Sequence, residues 1–457
     1  MPTSAGVPAT FRTHREALRR RLPEGLILLG AAPEVRRNGD VHFPYRQDSD
    51  FLYLTGILEP GYGLVLDPER GRETLFVPKL TQAHAVWLGY IPSREEARDA
   101  FGIRDVRYGD ELPGLLRRWA RGRRVVHASG RAAGVARRAV GARRVVGAEL
   151  REALQELRIV KTPGEVALLR RASAATAAGH LAAMRAARPG LFEYQVQAEM
   201  EREFQRHGCP QLGYQSIVAA GRNGAVLHYH HNRARLARGD LLLIDAGAEY
   251  RGYTADVTRT FPVSGRFTRR QRDVYEAVLA AQERCIDAAR AGRTSIELQL
   301  LAERVVAEGL RDLGLLKGSA DELVETQAVR LFFPHGIGHT LGLDVHDTQG
   351  GRKRRLPIGR VGRLRFRARL EPGFVITIEP GVYFIAALLH DREKRRTHRG
   401  RVDFDLAERF LDFGGVRIED DVVVRAAGPP ENLTQVPKTV AGIEAACAGA
   451  EAEALSA

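Results

Sequence analysis

Acidic side chains that recur where apolar stretches end are the first feature of this sequence able to do chemistry. Leu241-Leu-Leu-Ile-Asp-Ala-Gly-Ala-Glu-Tyr250 carries Asp245 after an unbroken apolar run, Arg251-Gly252 interrupts it, and Tyr253-Thr-Ala-Asp-Val-Thr-Arg-Thr-Phe261 resumes it. In the second stretch Ala255, Val257 and Arg259 alternate with Asp256, Thr258 and Thr260, the period of a half-buried strand. A turn centred on Tyr250 and Arg251 would set Asp245 directly across the hairpin from Asp256, where paired side chains approach closely. Like charges repel there, so the pair needs a proton on one member, another register, or cations between them. The bland alternative is a solvated hairpin with incidental aspartates. The apolar run ahead of Asp245 argues against it, because that run predicts burial.

A second cluster is Phe332-Phe-Pro-His-Gly-Ile-Gly-His-Thr-Leu-Gly-Leu-Asp-Val-His-Asp347. Its glycines predict a loop that lets backbone approach a ligand closely. A lone histidine is usually a satisfied core or surface residue. His335, His339 and His346 together, with Asp344 and Asp347, point to a functional site. Glu379 closes the apolar run Phe374-Val-Ile-Thr-Ile-Glu379 before Pro380-Gly381, and Gly415-Val-Arg-Ile-Glu-Asp-Asp421 puts Arg417 and Glu419 on one face. Asp420, Asp421 and Glu408 read more simply as surface charge. Hard oxygen donors with one imidazole suit Mn(II), Zn(II) or Co(II) rather than a thiolate-built structural site. Four ionised carboxylates are balanced by two divalent cations, so the set is a candidate two-metal centre. Its shared water, with a lowered pKa, would be a hydrolytic nucleophile.

The elements that must position these groups fall into two parts. At 457 residues the chain exceeds one ordinary domain. From Leu26 to about Val146, short apolar stretches such as Gly63-Leu-Val-Leu-Asp67 and Thr74-Leu-Phe-Val-Pro78 alternate with helical patterns such as Ser93 to Phe101, as in an α/β domain. A basic stretch, Arg131 to Arg144, precedes a predicted helix from Gly147 to Arg158. Lys161-Thr-Pro-Gly-Glu165 then marks a boundary and a helix start, with Thr162 as cap, Pro163 in first position and Glu165 completing a capping box. The expected division is 1–157 and 158–457. In the second part, predicted helices from Gly164 to about Ala187 and from Glu193 to His207 precede strands and hairpins. Helices from about Arg269 to Ala291 and from Ser295 to Leu313 precede further strands, so the order of helix pair then sheet segment occurs twice. Gly350 to Arg369 reads as an arginine-rich stretch that includes a loop.

Composition narrows the function. The three cysteines, Cys209, Cys285 and Cys447, are odd in number and far apart, which suits reduced thiols in a cytoplasmic protein. No apolar run approaches a membrane span. The net charge of +14 could attract phosphate, but lysine occurs only six times against abundant arginine, so a bias of composition accounts for much of the excess. Without a zinc finger or an RNA-binding signature, neither nucleic acid nor membrane is an expected partner.

At the acidic segments and the histidine loop the sequence resembles the metallopeptidases that include methionine aminopeptidase, aminopeptidase P and prolidase. The resemblance to the proline-specific branch runs from Asp48-Ser-Asp-Phe51 and Thr55-Gly56 through Glu431-Asn-Leu-Thr434. It implies an α/β N-terminal domain ahead of an α+β catalytic domain of the pita-bread (creatinase/aminopeptidase-like) fold, and hydrolysis of the bond preceding proline. By the same resemblance Asp245 would bind one metal, Asp256 and Glu419 would bridge both, and His339 with Glu379 would complete the other, with Mn(II) first among the candidate ions. It further implies that His228 contacts substrate, that His346 stabilises the tetrahedral intermediate, that His335 supports the substrate, that Arg417 orients Glu419, and that Glu379 shuttles a proton. An Xaa-Pro bond is a tertiary amide without an N–H and its isomers exchange slowly, so it calls for a dedicated site.

Substrate length divides the branch. The long connection between Glu379 and Glu419, including Tyr383-Phe-Ile-Ala-Ala-Leu-Leu389 and Phe413-Gly-Gly415, resembles prolidases, which take Xaa-Pro dipeptides. So does Arg363-Leu-Arg-Phe366, where the resemblance implies that Arg365 grips the free carboxylate. Gly252 to Val263 and Phe192-Glu-Tyr194 look closer to bacterial aminopeptidase P, which acts on longer Xaa-Pro peptides. The dipeptidase is the preferred expectation. An inactive pita-bread binding module is the rival from another class, and the filled ligand positions argue against it. The resemblance also implies a homodimer, with Trp87 and Phe51 as candidates to meet a neighbouring subunit or to narrow the site.

Overall fold

A computed structural model describes residues 7–87, 89–357 and 364–449, and resolves them into two units. One takes in the chain as far as Arg158 together with Gly350–Lys353; the other begins at Ile159.

The first unit is built on a six-stranded mixed sheet. Leu26–Gly30 pairs antiparallel with Gly63–Asp67 and parallel with Val126–Ala128; the sheet continues through Arg72–Val77 to Asp105–Tyr108 on one side and to Val145–Val146 on the other. Leu26 to Leu29 and Gly63 to Asp67 are buried on both faces, which is why they read as apolar runs rather than alternating strands. The helix Arg94–Phe101 starts on the Ser93–Glu96 capping box. The basic stretch conceals a helix, Gly130–Val140: Ala132, Ala133, Ala136 and Ala139 turn inward while the arginines stay in solvent. Phe51 does not face a neighbour, since it is fully buried in Ser49–Thr55; Trp87, by contrast, is 82 % exposed.

The second unit repeats one plan twice. Pro163–Ala186 packs on Glu193–Arg206 ahead of the strands Ile217–Ala220, Leu241–Ala246 and Val257–Pro262, which form an antiparallel sheet. Arg269–Ala288 packs on Ser295–Asp312 ahead of Val375–Ile378, Asp420–Val423 and Glu431–Asn432, a second antiparallel sheet. Both helix pairs open on capping boxes, at Thr162 and Glu165 and at Thr268 and Gln271. A bridge between Thr258 and Glu419 joins the two sheet segments, and carboxylates from both halves meet there. Within this frame each fully buried aliphatic side chain of Leu242 to Ile244 contributes on the order of 1.5–3 kcal/mol, so Asp245 is carried in by its neighbours.

Two expectations about the hairpin change. The turn is Arg251-Gly252, with φ of 51° and 86°, and Tyr250 pairs with Tyr253. Consequently Asp245 lies opposite Thr258, not Asp256. Left-handed backbone at both turn residues gives the tight hairpin whose twist matches the strands, and glycine adopts it without strain. Asp256 falls between the strands Tyr253–Thr254 and Val257–Pro262 rather than within one, and the latter is buried on both faces, Arg259 included, rather than half-buried.

Candidate metal centre

Asp245 and Asp256 still converge despite the shifted register. Gly247 breaks the first strand where a Cβ would stand 1.8 Å from the Ala255 carbonyl oxygen, so the two backbones approach as only glycine allows. The hydroxyl of Tyr214 lies 2.6 Å from Asp245 Oδ1 and 2.5 Å from Asp256 Oδ1, tying the pair together. From the other half, Glu419 follows the Gly415–Arg417 strand and Glu379 follows Val375–Ile378, where Pro380 stops the ladder.

The histidine loop is pinned to the same strand. His339 N–H donates to Thr377 Oγ1 at 3.1 Å, Thr377 N–H donates to the His339 carbonyl at 2.9 Å, and Gly338 passes where a Cβ would be 2.0 Å from the Thr377 oxygen. The contact of His339 Nδ1 with the Thr340 carbonyl, 3.2 Å, leaves Nε2 facing the acids: 3.2 Å from Asp256 and 3.6 Å from Glu379. Asp256, His339 and Glu419 each offer a ligand atom within 4.8 Å of the others. With Asp245 and Glu379 they line one cavity of about 540 Å³, whose wall also holds His228, His335, His346, Arg365 and Arg417.

Electrostatics say what this cluster lacks. Burial pushes Glu419 well above the usual carboxylate range, and Asp256, Glu379 and Asp245 push it further. Glu379 rises to about 7 through burial, with Asp256 and Asp245 adding to it against His339 and Arg417. Asp256 is raised mainly by burial as well. The cations lining the cavity are Arg417, which holds Asp245 at 2.5 Å, and Arg365, whose Nη1 lies against His346 Nε2. Buried carboxylates short of positive charge hold protons or bind cations, and this set of four carboxylates and one imidazole fits a pair of divalent ions.

Other site residues have particular partners. Arg417 does not touch Glu419: its Nε donates to Thr258 Oγ1 at 3.0 Å, and that hydroxyl donates to Glu419 Oε2 at 2.6 Å. Arg417 Nη1 also donates to the Tyr383 hydroxyl at 2.9 Å, which lies 2.9 Å from His335 Nε2. Burial first, and Arg417 second, drop His335 to about 3, so its ring is neutral at pH 7. His346, dropped to about 3 by burial and by His339, is neutral too and stands edge-on to His339 with centroids 4.4 Å apart. His228 sits on the exposed rim near His230. Arg363 lies outside the described residues.

Several assignments shift. Asp347 does not join the cavity but forms a buried ion pair with Lys161 at 3.0 Å, across the helix start. Asp420 and Asp421 are not surface charges: they are 0 % and 1 % exposed, Asp420 pairing with Arg259 and Asp421 accepting the Asp256 N–H at 3.0 Å. Glu408 does pair near the surface, with Arg395. Tyr214 and Thr258, which hydrogen-bond to these acids, were not among the expected site residues, and no motif in the sequence marked them.

Comparison with known proteins agrees with this geometry. The profile of "Metallopeptidase family M24" matches residues 167–426, more than half of the chain, and that of "Aminopeptidase P, N-terminal domain" matches 11–127. The chain belongs to metallopeptidase family M24. This M24 protein is 38 % identical to an Xaa-Pro aminopeptidase of Escherichia coli, over 93 % of its own length and 94 % of the relative's. It is 35 % identical to a human Xaa-Pro dipeptidase, over 97 % and 94 %. A zinc-substituted E. coli aminopeptidase P in complex with product superposes with a TM-score of 0.84 at 37 % identity, covering 97 % of this chain and 98 % of that one. The expected pita-bread catalytic domain behind an aminopeptidase-P-type N-terminal domain is therefore present, and the protein is a metal-binding peptidase rather than an inactive module. Among the described residues no helix is long and apolar enough to cross a membrane.

Proposed function

We propose that this protein is a two-metal hydrolase that cleaves the peptide bond preceding proline, acting on Xaa-Pro dipeptides as a prolidase does. The observation that carries the reading is the convergence of Asp245, Asp256, His339, Glu379 and Glu419 on one cavity that also contains a cationic arm, Arg365. We assign Asp245 to one metal, Asp256 and Glu419 to both, and His339 with Glu379 to the other, with Mn(II) as the native ion and Zn(II) or Co(II) as substitutes. Two such ions would polarise the scissile carbonyl and bring the pKa of a water towards neutrality.

The chain's own residues do the rest. Glu379 takes the proton given up by the attacking water and carries it towards the proline nitrogen, which as a tertiary amide must be protonated to leave. His346 and His228 face the reacting carbonyl as donors, and an aligned donor of this kind is worth on the order of 2.7–4 kcal/mol. Neutral His335, held by the Arg417–Tyr383 chain, lines the cavity, as do the apolar Ile217 and Val345, and together they offer surface suited to a pyrrolidine ring. Arg365 rests on neutral His346. A substrate carboxylate is the stronger acceptor and would draw the guanidinium away, freeing His346 Nε2, which accepts from Arg365 and would donate once the ring proton moves to that nitrogen.

A second reading, aminopeptidase P acting on longer peptides, is favoured by the likeness of Gly252 to Val263 and by the E. coli structure above. Turnover of an Xaa-Pro dipeptide beside an Xaa-Pro-Yaa peptide with the same first residue separates the two. The dipeptidase should cleave the dipeptide, and Arg365→Met should raise its KM about ten- to a hundredfold without changing that of the longer peptide. Cleavage of the longer peptide alone would reject the dipeptidase.

The proposal extends to the division at 157 and 158, supported by the capped start at Thr162, and to a cytoplasmic setting, supported by cysteines that are all free. A homodimer is supported by Val86, Trp87 and Tyr90, which are 70 %, 82 % and 60 % exposed; sedimentation showing only monomer would remove it.

A further inference from the structure

Between the two inner histidines, the peptide of Ile337 is clamped from both sides. Its carbonyl accepts the Glu379 N–H at 2.8 Å, which ties the loop to the Glu379 strand. Its N–H donates to Oε1 of Gln299 at 2.6 Å, on the helix Ser295–Asp312. That helix otherwise contributes nothing to the cavity wall.

Gln299 is 1 % exposed, and its whole amide is engaged. Nε2 donates to Glu303 Oε1 at 2.9 Å, one helical turn on, and reaches the His335 carbonyl at 3.4 Å. Glu303, also 1 % exposed, is held in turn by Arg330, whose Nε and Nη2 donate to the same oxygen at 2.9 and 2.8 Å. The strut therefore runs from a partly exposed guanidinium through a buried carboxylate and a buried amide to the backbone on both sides of Gly336. An amide suits the last position because Ile337 presents a donor and His335 an acceptor, and only a group carrying both can meet them. Glutamate there would face Glu303, and an apolar side chain would strand the Ile337 N–H, at a cost of about 1–3 kcal/mol for a buried donor.

We propose that Gln299, oriented by Glu303 and Arg330, is a positioning residue that sets the spacing of His335 and His339 around the cavity, and through Ile337 the placement of Glu379. The inference rests on the metallopeptidase reading, in which His339 and Glu379 hold metal. A glutamine that merely fastened helix to loop would affect only stability. One that fixes donor geometry also affects metal retention and turnover, since partners behind a metal ligand commonly change affinity by about 10–100-fold.

The test uses the full chain with manganese as the probe. Gln299→Met keeps the volume and deletes the hydrogen bonds. It should weaken manganese binding, measured by calorimetry on metal-free protein, by about tenfold, and lower kcat for an Xaa-Pro substrate by about tenfold with KM within about twofold. Glu303→Gln, which keeps an acceptor for the Gln299 amide but weakens the Arg330 pairing, should move both quantities the same way by about threefold. If Gln299→Met unfolds at a lower temperature yet its folded fraction binds manganese and turns over like wild type, the proposal is overturned. Should that variant fail to fold, Glu303→Gln and Arg330→Met decide, and wild-type affinity and kcat in both would overturn it. Wild-type protein that binds no manganese would instead remove the metallopeptidase reading itself.

Discussion

Glu419 and Asp420 are adjacent in the chain and equally buried, yet their carboxyl groups are driven in opposite directions. Glu419 faces Asp256, Glu379 and Asp245 with no cation in contact, and burial among like charges holds it far above the usual range. Burial alone would raise Asp420 as well, but Arg259 and Lys438 hold it far below. Arg259 Nη2 and Lys438 Nζ stand 2.7 and 2.8 Å from its two oxygens, and Arg259 further donates to the carbonyls of Thr258, Glu419, Val436 and Pro437. Alternation along a strand sends neighbouring side chains to opposite faces, so one residue's difference separates a finished ion pair from an unfinished one. A buried acid whose partner is already in the protein is structural; a buried acid surrounded by other acids awaits a cation from outside.

Breaking each side separately should give different failures. Asp256→Ala removes a donor from the uncompensated side and should lower turnover of a proline peptide by more than about 10³ while leaving thermal unfolding of the metal-free protein unchanged or raised, because a like charge is lost. Intact turnover in this variant would sink the two-metal assignment. On the compensated side, Asp420→Asn leaves Arg259 buried without its counter-charge and should destabilise the fold by about 3–5 kcal/mol in denaturant unfolding. Its remaining folded fraction should keep its metal affinity; loss of metal binding without loss of stability would show that the two sides are not distinct.

The smallest effect is a pH dependence, and its sign differs between the two acids. In metal-free protein, Glu379, raised to about 7, and Glu419 bind protons that the unfolded chain gives up near pH 4. At these two groups the folded state holds more protons across that interval, so their contribution to stability falls as pH rises from about 4 to about 7. Asp420 works the other way: its contribution is present above about pH 4 and is lost only in stronger acid. His335 and His346, dropped to about 3, oppose this below about pH 6.5. The decline is therefore read as the difference in metal-free melting temperature between wild type and Glu379→Gln, which should shrink from about pH 4.5 to 7, a trend that manganese should abolish. A difference that grows over this interval would contradict the charge shortage at the centre.

Much of this was legible locally. Helix starts followed from short-range chemistry, as at Thr162, Pro163 and Glu165, whose capping hydrogen bonds involve residues three apart. The strand-ending acids were legible because an apolar run predicts burial wherever it lies. The hairpin register was misjudged because the turn was placed one residue too early, and moving its centre by one shifts every pairing by two. The helix Gly130–Val140 was hidden because its inward face is built of alanines rather than large apolar side chains, so its arginines dominate the stretch.

The sequence alone already held the candidate donor set, four carboxylates and a histidine, and the order of helices and strands that delivers them. Residue type and local periodicity decide both. Which acids would be short of a cation was decided only in three dimensions. Arg259 and Asp420 are 161 positions apart, Lys161 and Asp347 are 186 apart, and Gln299 meets Ile337 across 38. Nothing in local spacing announces such partners, because a buried charge is satisfied by whichever group the fold brings within hydrogen-bond reach.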